Sequence, residues 1–266
     1  MNYKLWLIIL PIICYLFGSI NWAVFISALK GKNIRKMGSG NPGTLNMSRN
    51  LGLKFGLLTF FLDVVKGALP TLVAFFVFGK VCFKDTTFYV YDFAVYLCGL
   101  SVVLGHIYPI YFKFKGGKGI ASTIGVFLVA ESIHGGQWAV VAIMALIAAA
   151  LFIYFTEFGA MGSFIAITPP AVSGSIRLFL QYGAGNVNSV SPMLGFYVVS
   201  NMMIFAICLF TWFAHRKNIE RMLSGDEHPT SFRSMVVKAK MKKRTDAAEK
   251  QSSSGEKPQP TESDKT

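Results

Sequence analysis

Apolar runs of bilayer-spanning length recur along this chain and restrict its fold more than any other feature. The first extends from Leu5 to Leu29, and comparable stretches follow as far as Ala214. A hydrocarbon core about 30 Å thick is crossed by roughly 17–25 helical residues, and within it every backbone N–H and C=O must be satisfied inside the protein. Helices meet that demand locally. A barrel would instead show alternating segments of about ten residues, a pattern that the sequence lacks. With 53% hydrophobic and 15% charged residues and a mean hydropathy of +0.49, the chain departs from soluble-domain composition in the same direction. It reads as all-α, a polytopic integral membrane helical bundle of about seven transmembrane helices.

Spans are expected near residues 4–30, 53–78, 88–111, 119–132, 137–156, 160–181 and 193–214. The first has little positive charge ahead of it and no small-residue cleavage site behind it, so it reads as a retained helix rather than a signal peptide. The fourth is short and begins in glycine-rich sequence, which suits a helix that tilts little, thins the bilayer or stops inside the protein. The loop after the first span carries Lys30, Lys32, Arg35, Lys36, Arg49 and Lys54, and the loop after the third carries Lys113, Lys115 and Lys118. Basic loops stay inside, which puts the amino terminus outside and the carboxyl terminus in the cytosol. The connection around Thr156–Met161 falls on the cytosolic side by parity. Residues 1–228 form the expected membrane domain and residues 229–266 a basic cytosolic tail, whose last twenty or so positions hold too few apolar groups to fold.

A net charge of +13 suggests a nucleic-acid partner until its placement is considered. Much of the positive charge lies beside the spans and in the tail from Arg216 to Arg244, a distribution that orients a membrane protein and attracts anionic lipid. No nucleic-acid partner is expected. Cys14, Cys82, Cys98 and Cys208 have no metal or redox spacing and read as packing residues. The four histidines lack ligand spacing as well, so neither a metal nor a cofactor is expected. Asp63 and Lys66 sit three residues apart in the second span, where each lipid-facing charge would cost about 2.5–3.5 kcal/mol, and they are expected to pair facing inward. Arg177 lies near the opposite boundary, where snorkelling to headgroups is expected.

Three polar stretches remain. In GSGNPGTLNMSRNLG, residues 38–52, Asn41 followed by Pro42 reads as an N-cap and first helical residue. A short helix would then aim backbone donors at the Gly38–Gly40 turn, which with the Ser39 hydroxyl favours a phosphate or carboxylate. Asn46 and Arg49 would share a face of that helix. In GHIYPIYFKFKGGKGIAS, residues 105–122, Gly116, Gly117 and Gly119 surround Lys118, giving a backbone nest beside a cation. The GxxxxGK[ST] spacing of a nucleotide loop is missing. In HRKNIERMLSGDE, a helix continuing from the last span would align His215, Asn218 and either Arg221 or Met222. Each stretch has a plainer reading: a turn at the bilayer edge, positive-inside lysines, or an interfacial histidine. Two glycine-rich basic loops on one face tilt the balance toward an anion site.

In order and at suitable separations, GSINWAVFI, IRKMGSGNPGTLNMSRNLG, LDVVKG, GHIYPIYFKFKGGKGIAS and HRKNIERMLSGDE resemble the bacterial acyl-phosphate:glycerol-3-phosphate acyltransferase family, PlsY, over about residues 15–228. The resemblance implies a seven-helix inner-membrane enzyme with its active site toward the cytosol. Such an enzyme moves a fatty acyl group from acyl phosphate to the 1-hydroxyl of glycerol 3-phosphate, releasing lysophosphatidate and phosphate and opening phospholipid biosynthesis. It also implies active-site service for Ser39, Arg49, Lys118, His215 and Asn218. Ser39, His215 and Asn218 are the catalytic candidates. The substrate-binding candidates are Gly38, Gly40, Asn41, Asn46, Arg49, Lys115, Gly116, Gly117, Lys118, Gly119 and Ser163, with acyl phosphate, glycerol 3-phosphate and membrane lipids as expected partners. The family usually shows an Arg-Tyr-x-Ser-x-x-Ser-like segment after the fifth helix. Here the sequence is TEFGAMGS, with Glu157 and Ala160 in place of the arginine and first serine, and Ser163 retained.

The chemistry suits these residues. An acyl phosphate is already activated, so the protein needs no covalent nucleophile and must hold two anions together while orienting a hydroxyl. Cations and backbone donors offset phosphate repulsion and stabilise the tetrahedral oxyanion. The proton goes either to His215 or to the leaving phosphate. A membrane carrier for an organic phosphate is the competing class, with a lipid-gripping scaffold third. Carriers tend to place polar groups at midplane between paired halves, whereas here they cluster on one surface.

Overall fold

Helices follow the apolar runs in a computed structural model that describes residues 2–79, 81–183, 192–226, 230, 233–237, 241 and 245. In chain order they are α1 (Tyr3–Gly18), α2 (Trp22–Leu29), α3 (Thr44–Leu51), α4 (Leu53–Phe78), α5 (Val90–Ile107), α6 (Ile120–Ser132), α7 (Gly136–Thr156), α8 (Gly159–Leu178), α9 (Pro192–Ala214) and α10 (Arg216–Ser224). Among the described residues six segments are long and apolar enough to cross a bilayer: Tyr3–Leu29, Leu53–Phe78, Val90–Phe112, Gly136–Thr156, Gly159–Gly183 and Leu194–Ala214. The chain is an integral membrane helical protein. With 13 residues, α6 is only about 20 Å long, the short helix expected for the fourth span. The expectation of a disordered stretch over the last twenty or so residues lies outside the described residues.

The first span is not one continuous helix. It breaks at Ser19–Asn21, and both sides of the break are satisfied. Asn21 caps α2 by accepting from the Val24 N–H at 3.0 Å, while the Ile20 carbonyl accepts from the Lys66 ammonium of α4 at 2.8 Å. Hydropathy averages over such a break; the N-cap asparagine in GSINWAVF was the signal for it.

At the centre is α5, packed against α1, α4, α6 and α9. Of its most apolar window 61% is buried, against 17% for α7. The exposed Val140, Ile143, Met144, Ile147 and Leu151 of α7 recur at helical spacing and form a lipid-facing stripe. Lipid tails supply no hydrophobic force between helices, so small residues that let backbones approach set the crossings. A Cβ on Gly18 would lie 2.4 Å from the Val102 carbonyl oxygen, and one on Gly67 would lie 1.9 Å from that of Ser122. These contacts lock α1 to α5 and α4 to α6, which fixes the loops at the basic end.

Arg177 does not snorkel. Its side chain is buried, donating to Asp92 at 3.3 Å, to Gln181 at 3.2 Å and to the Tyr96 hydroxyl at 3.0 Å. Tyr182 also donates to Asp92. A buried carboxylate on α5 offered a better partner than the headgroups, a choice decided by tertiary contact rather than depth.

Candidate active site

The first basic loop is organised by one amide. The Asn46 oxygen accepts from the Ser39 N–H at 3.2 Å and from the Asn50 side chain at 2.9 Å, and its nitrogen donates to the carbonyls of Ile34 at 3.3 Å and Met37 at 3.0 Å. Two acceptor sites and two protons are thereby used. Asn46 is buried and holds the loop rather than offering itself to a substrate. Gly38 and Gly40 have φ of +53° and +69°, the left-handed conformation that glycine adopts without strain. The resulting turn leaves Ser39 exposed, its hydroxyl oxygen accepting from the Asn41 N–H at 3.4 Å. The N-cap of α3 is Gly43 rather than Asn41. Asn41 and Pro42 belong to the turn, because the Gly43 N–H bonds back to the Asn41 carbonyl at 3.0 Å and delays the helix. Arg49 lies exposed at the end of α3, its Nε donating to the Thr230 carbonyl at 3.0 Å.

The second loop corrects the expectation of a nest. The Gly116 and Gly117 N–H groups donate to the carbonyls of Ile107 at 3.0 Å and His106 at 3.1 Å, so neither is presented to a phosphate. Their lack of a side chain permits close approach instead. A Cβ on Gly117 would lie 2.3 Å from His106 Nε2, and one on Gly116 2.0 Å from the His106 carbonyl oxygen. Gly119, at φ +86°, caps α6 in the left-handed region, and the turn between them projects Lys118. Lys115 is exposed.

Beneath this loop lies a buried polar relay that the sequence reading saw only in part. Asp63 and Lys66 pair at 3.0 Å, as their spacing suggested, and Lys66 also reaches His106 Nδ1 at 2.9 Å. An ammonium can only donate, so Nδ1 carries the lone pair and the proton sits on Nε2, facing Gly117. Ser122 lies 3.3 Å from the same Nδ1. The motif GHIYP advertised this histidine, but its partners come from α4 and are invisible in one stretch of sequence.

The third stretch closes the site. The chain kinks at His215, which caps α10, so α9 and α10 are separate helices and not the continuous one expected from the sequence. The kink still delivers both polar groups. Asn218 accepts from the Lys118 ammonium across 100 positions of sequence. His215 is buried, with Nδ1 lying 2.8 Å from the Thr211 carbonyl oxygen. A carbonyl accepts only, so Nδ1 bears the proton and Nε2 the lone pair. Burial first, and the neighbouring Lys118 charge second, bring its pKa down to about 4, leaving the imidazole neutral at physiological pH. Thr211 and Thr123 share a 3.3 Å hydrogen bond that ties α9 to the first turn of α6.

The structure thus brings Lys118, His215 and Asn218 together. It also joins the first and second loops, where the Arg35 guanidinium lies over the Phe112 ring at 4.9 Å. Arg49 belongs to the same end through Thr230, whose N–H donates to the Glu157 carbonyl at 2.9 Å. Ser163, one turn into α8, donates its hydroxyl to the Gly159 carbonyl at 2.8 Å.

Residues 8–225 match the family described as glycerol-3-phosphate acyltransferase. The chain belongs to that family. A glycerol-3-phosphate acyltransferase of Aquifex aeolicus is 35% identical over 222 residues, covering 82% of this chain and 96% of the relative. One from Mycoplasmopsis pulmonis is 36% identical over 213 residues, covering 80% and 88%. Among solved structures, the glycerol 3-phosphate form of PlsY, an integral membrane glycerol 3-phosphate acyltransferase, superposes with a TM-score of 0.62 at 34% identity, covering 84% of this chain and 94% of that one. The lysophosphatidic acid form gives a TM-score of 0.60 at 33% identity. In this glycerol-3-phosphate acyltransferase family member, what the sequence reading missed are supporting groups: His106, Ser122, Thr211 and Thr230. Three of them reach the site through partners far away in sequence.

Proposed function

We propose that this chain transfers a fatty acyl group from acyl phosphate to the 1-hydroxyl of glycerol 3-phosphate at the cytosolic face of a bacterial inner membrane. The products are 1-acylglycerol 3-phosphate and inorganic phosphate. The observation that carries this reading is the meeting of Lys118, Asn218 and His215 at the end of the bundle that also holds Ser39 and Arg49. Family membership supplies the reaction class. The relatives' glycerol 3-phosphate and lysophosphatidic acid forms supply the acceptor and product.

Arg49 and Lys118 bind the phosphate of glycerol 3-phosphate, and Asn218 fixes the Lys118 ammonium. Ser39 and the turn around it orient the acyl phosphate. The glycerol 1-hydroxyl attacks the acyl carbon, forming the new C–O bond, and the oxyanion collapses with loss of phosphate. The departing phosphate takes the proton of the 1-hydroxyl, because a base near pKa 4 is a weak acceptor, while His215 Nε2 accepts a hydrogen bond from the glycerol 2-hydroxyl and so keeps the 1-hydroxyl in line. No acyl-enzyme forms. Purified protein given synthetic acyl phosphate and glycerol 3-phosphate is expected to make lysophosphatidate and phosphate in equal amounts. Turnover with acyl thioesters but none with acyl phosphate would refute the donor assignment.

A further inference from the structure

Thr230 lies beyond the segment that matches the family, residues 8–225, and on the tail side of the boundary that the sequence suggested, yet it is 2% exposed. Its peptide groups grip two different elements, α3 and the connection between α7 and α8. The carbonyl accepts from Arg49 Nε at 3.0 Å, and the N–H donates to the Glu157 carbonyl at 2.9 Å. Its side chain packs on the start of α8, where a Cβ on Gly159 would lie 2.7 Å from the Thr230 methyl carbon. Glu157 itself sits in the left-handed region at φ +60°, uncommon for a side chain of its size, and that turn aims its carbonyl at Thr230. A guanidinium held by Nε has a fixed plane, and a planar fork binds phosphate well only when aligned. Thr230 therefore does more than continue a solvated tail.

We propose that Thr230 is a positioning residue for glycerol 3-phosphate, bracing the Arg49 guanidinium against the connection between α7 and α8. The inference rests on the reading of Arg49 as a ligand of the acceptor's phosphate. Because the brace acts on one substrate, its loss raises the KM for glycerol 3-phosphate while leaving kcat and the KM for acyl phosphate nearly unchanged. A hydrogen bond to a charged group corresponds to roughly tenfold or more in affinity.

Two truncations and one substitution test it with synthetic acyl phosphate as donor. A chain ending at Asp226 is expected to show about a tenfold higher KM for glycerol 3-phosphate, with the other constants within about twofold. A chain ending at Val237 keeps Thr230, loses the rest of the basic tail, and is expected to match the full chain. Gly159→Val, which pushes a branched side chain against the Thr230 methyl group, is expected to raise the same KM in the full-length protein and serves if the shorter truncation does not fold. Equal KM values in all three variants and the full chain would overturn the proposal, as would equal losses in both truncations or a fall in kcat with both KM values altered. An inactive full chain would instead refute the acyltransferase reading, so the two failures are distinguishable.

Discussion

His215 has its pKa lowered from 6.5 to about 4, so as pH falls the unfolded chain takes up the imidazole proton before the folded one. The contribution to stability is complete above about pH 6.5 and is lost as pH drops toward 4. Across the working range the group stays neutral, and the acid limb of kcat/KM is expected to follow the second ionisation of the phosphate substrate, near pH 6 for a phosphate monoester. His215→Gln should keep that limb in place and reduce kcat by less than about 100-fold, at the bottom of the range for a lost general base. A limb that vanishes in the variant, seen in a pH–rate profile, would assign the proton to His215. Lys118→Met removes both the cation and the donor held by Asn218, and steady-state kinetics should show kcat/KM for glycerol 3-phosphate lower by at least about 100-fold. Gly117→Ala tests the corrected role of the glycines. Its Cβ would meet His106 Nε2 at 2.3 Å, and the overpacking, about 1–3 kcal/mol, should appear as a lower melting temperature together with weaker glycerol 3-phosphate binding. Unchanged stability with weakened phosphate binding would restore the nest.

At the level of elements, the membrane changes what a charge can do. Lys66 sits in a bilayer-spanning helix yet is held by Asp63, His106 and the Ile20 carbonyl, so one side chain mends the break between α1 and α2 and supports the second loop. Lys66→Met strands the buried carboxylate, a change that costs about 3–5 kcal/mol, whereas adding Asp63→Leu removes the stranded charge. Thermal melts in detergent should therefore rank the double variant above Lys66→Met; the reverse order would deny that the pair is the source of the effect. These elements also mark how far sequence reached. The spans were legible because about 20 apolar residues have few alternatives, and the Asp63–Lys66 pair was legible because helical spacing is local. The break at Asn21 escaped a hydropathy reading, although its capping residue was in plain view. Arg177 was misread because its partners, Asp92 and Tyr96, lie 85 and 81 positions away. The glycines of the second loop were identified correctly as a special backbone but given the wrong reason, since sequence cannot tell a donor aimed at a ligand from one bonded to the preceding helix.

In the whole molecule, one end of the bundle gathers cations from distant parts of the chain. Lys118 meets Asn218, the first loop meets the second at Arg35 and Phe112, and Arg49 reaches the α7–α8 connection through Thr230. If the proposed reaction is right, this end makes a bond rather than passing a solute. Sealed vesicles containing the purified protein and a membrane-soluble acyl phosphate, given radiolabelled glycerol 3-phosphate outside, test it directly. The expected result is label appearing in the bilayer as lysophosphatidate, matched one for one by released phosphate, with none accumulating as free glycerol 3-phosphate in the lumen. Label trapped in the lumen without lipid or phosphate release would make the protein a carrier and refute bond formation.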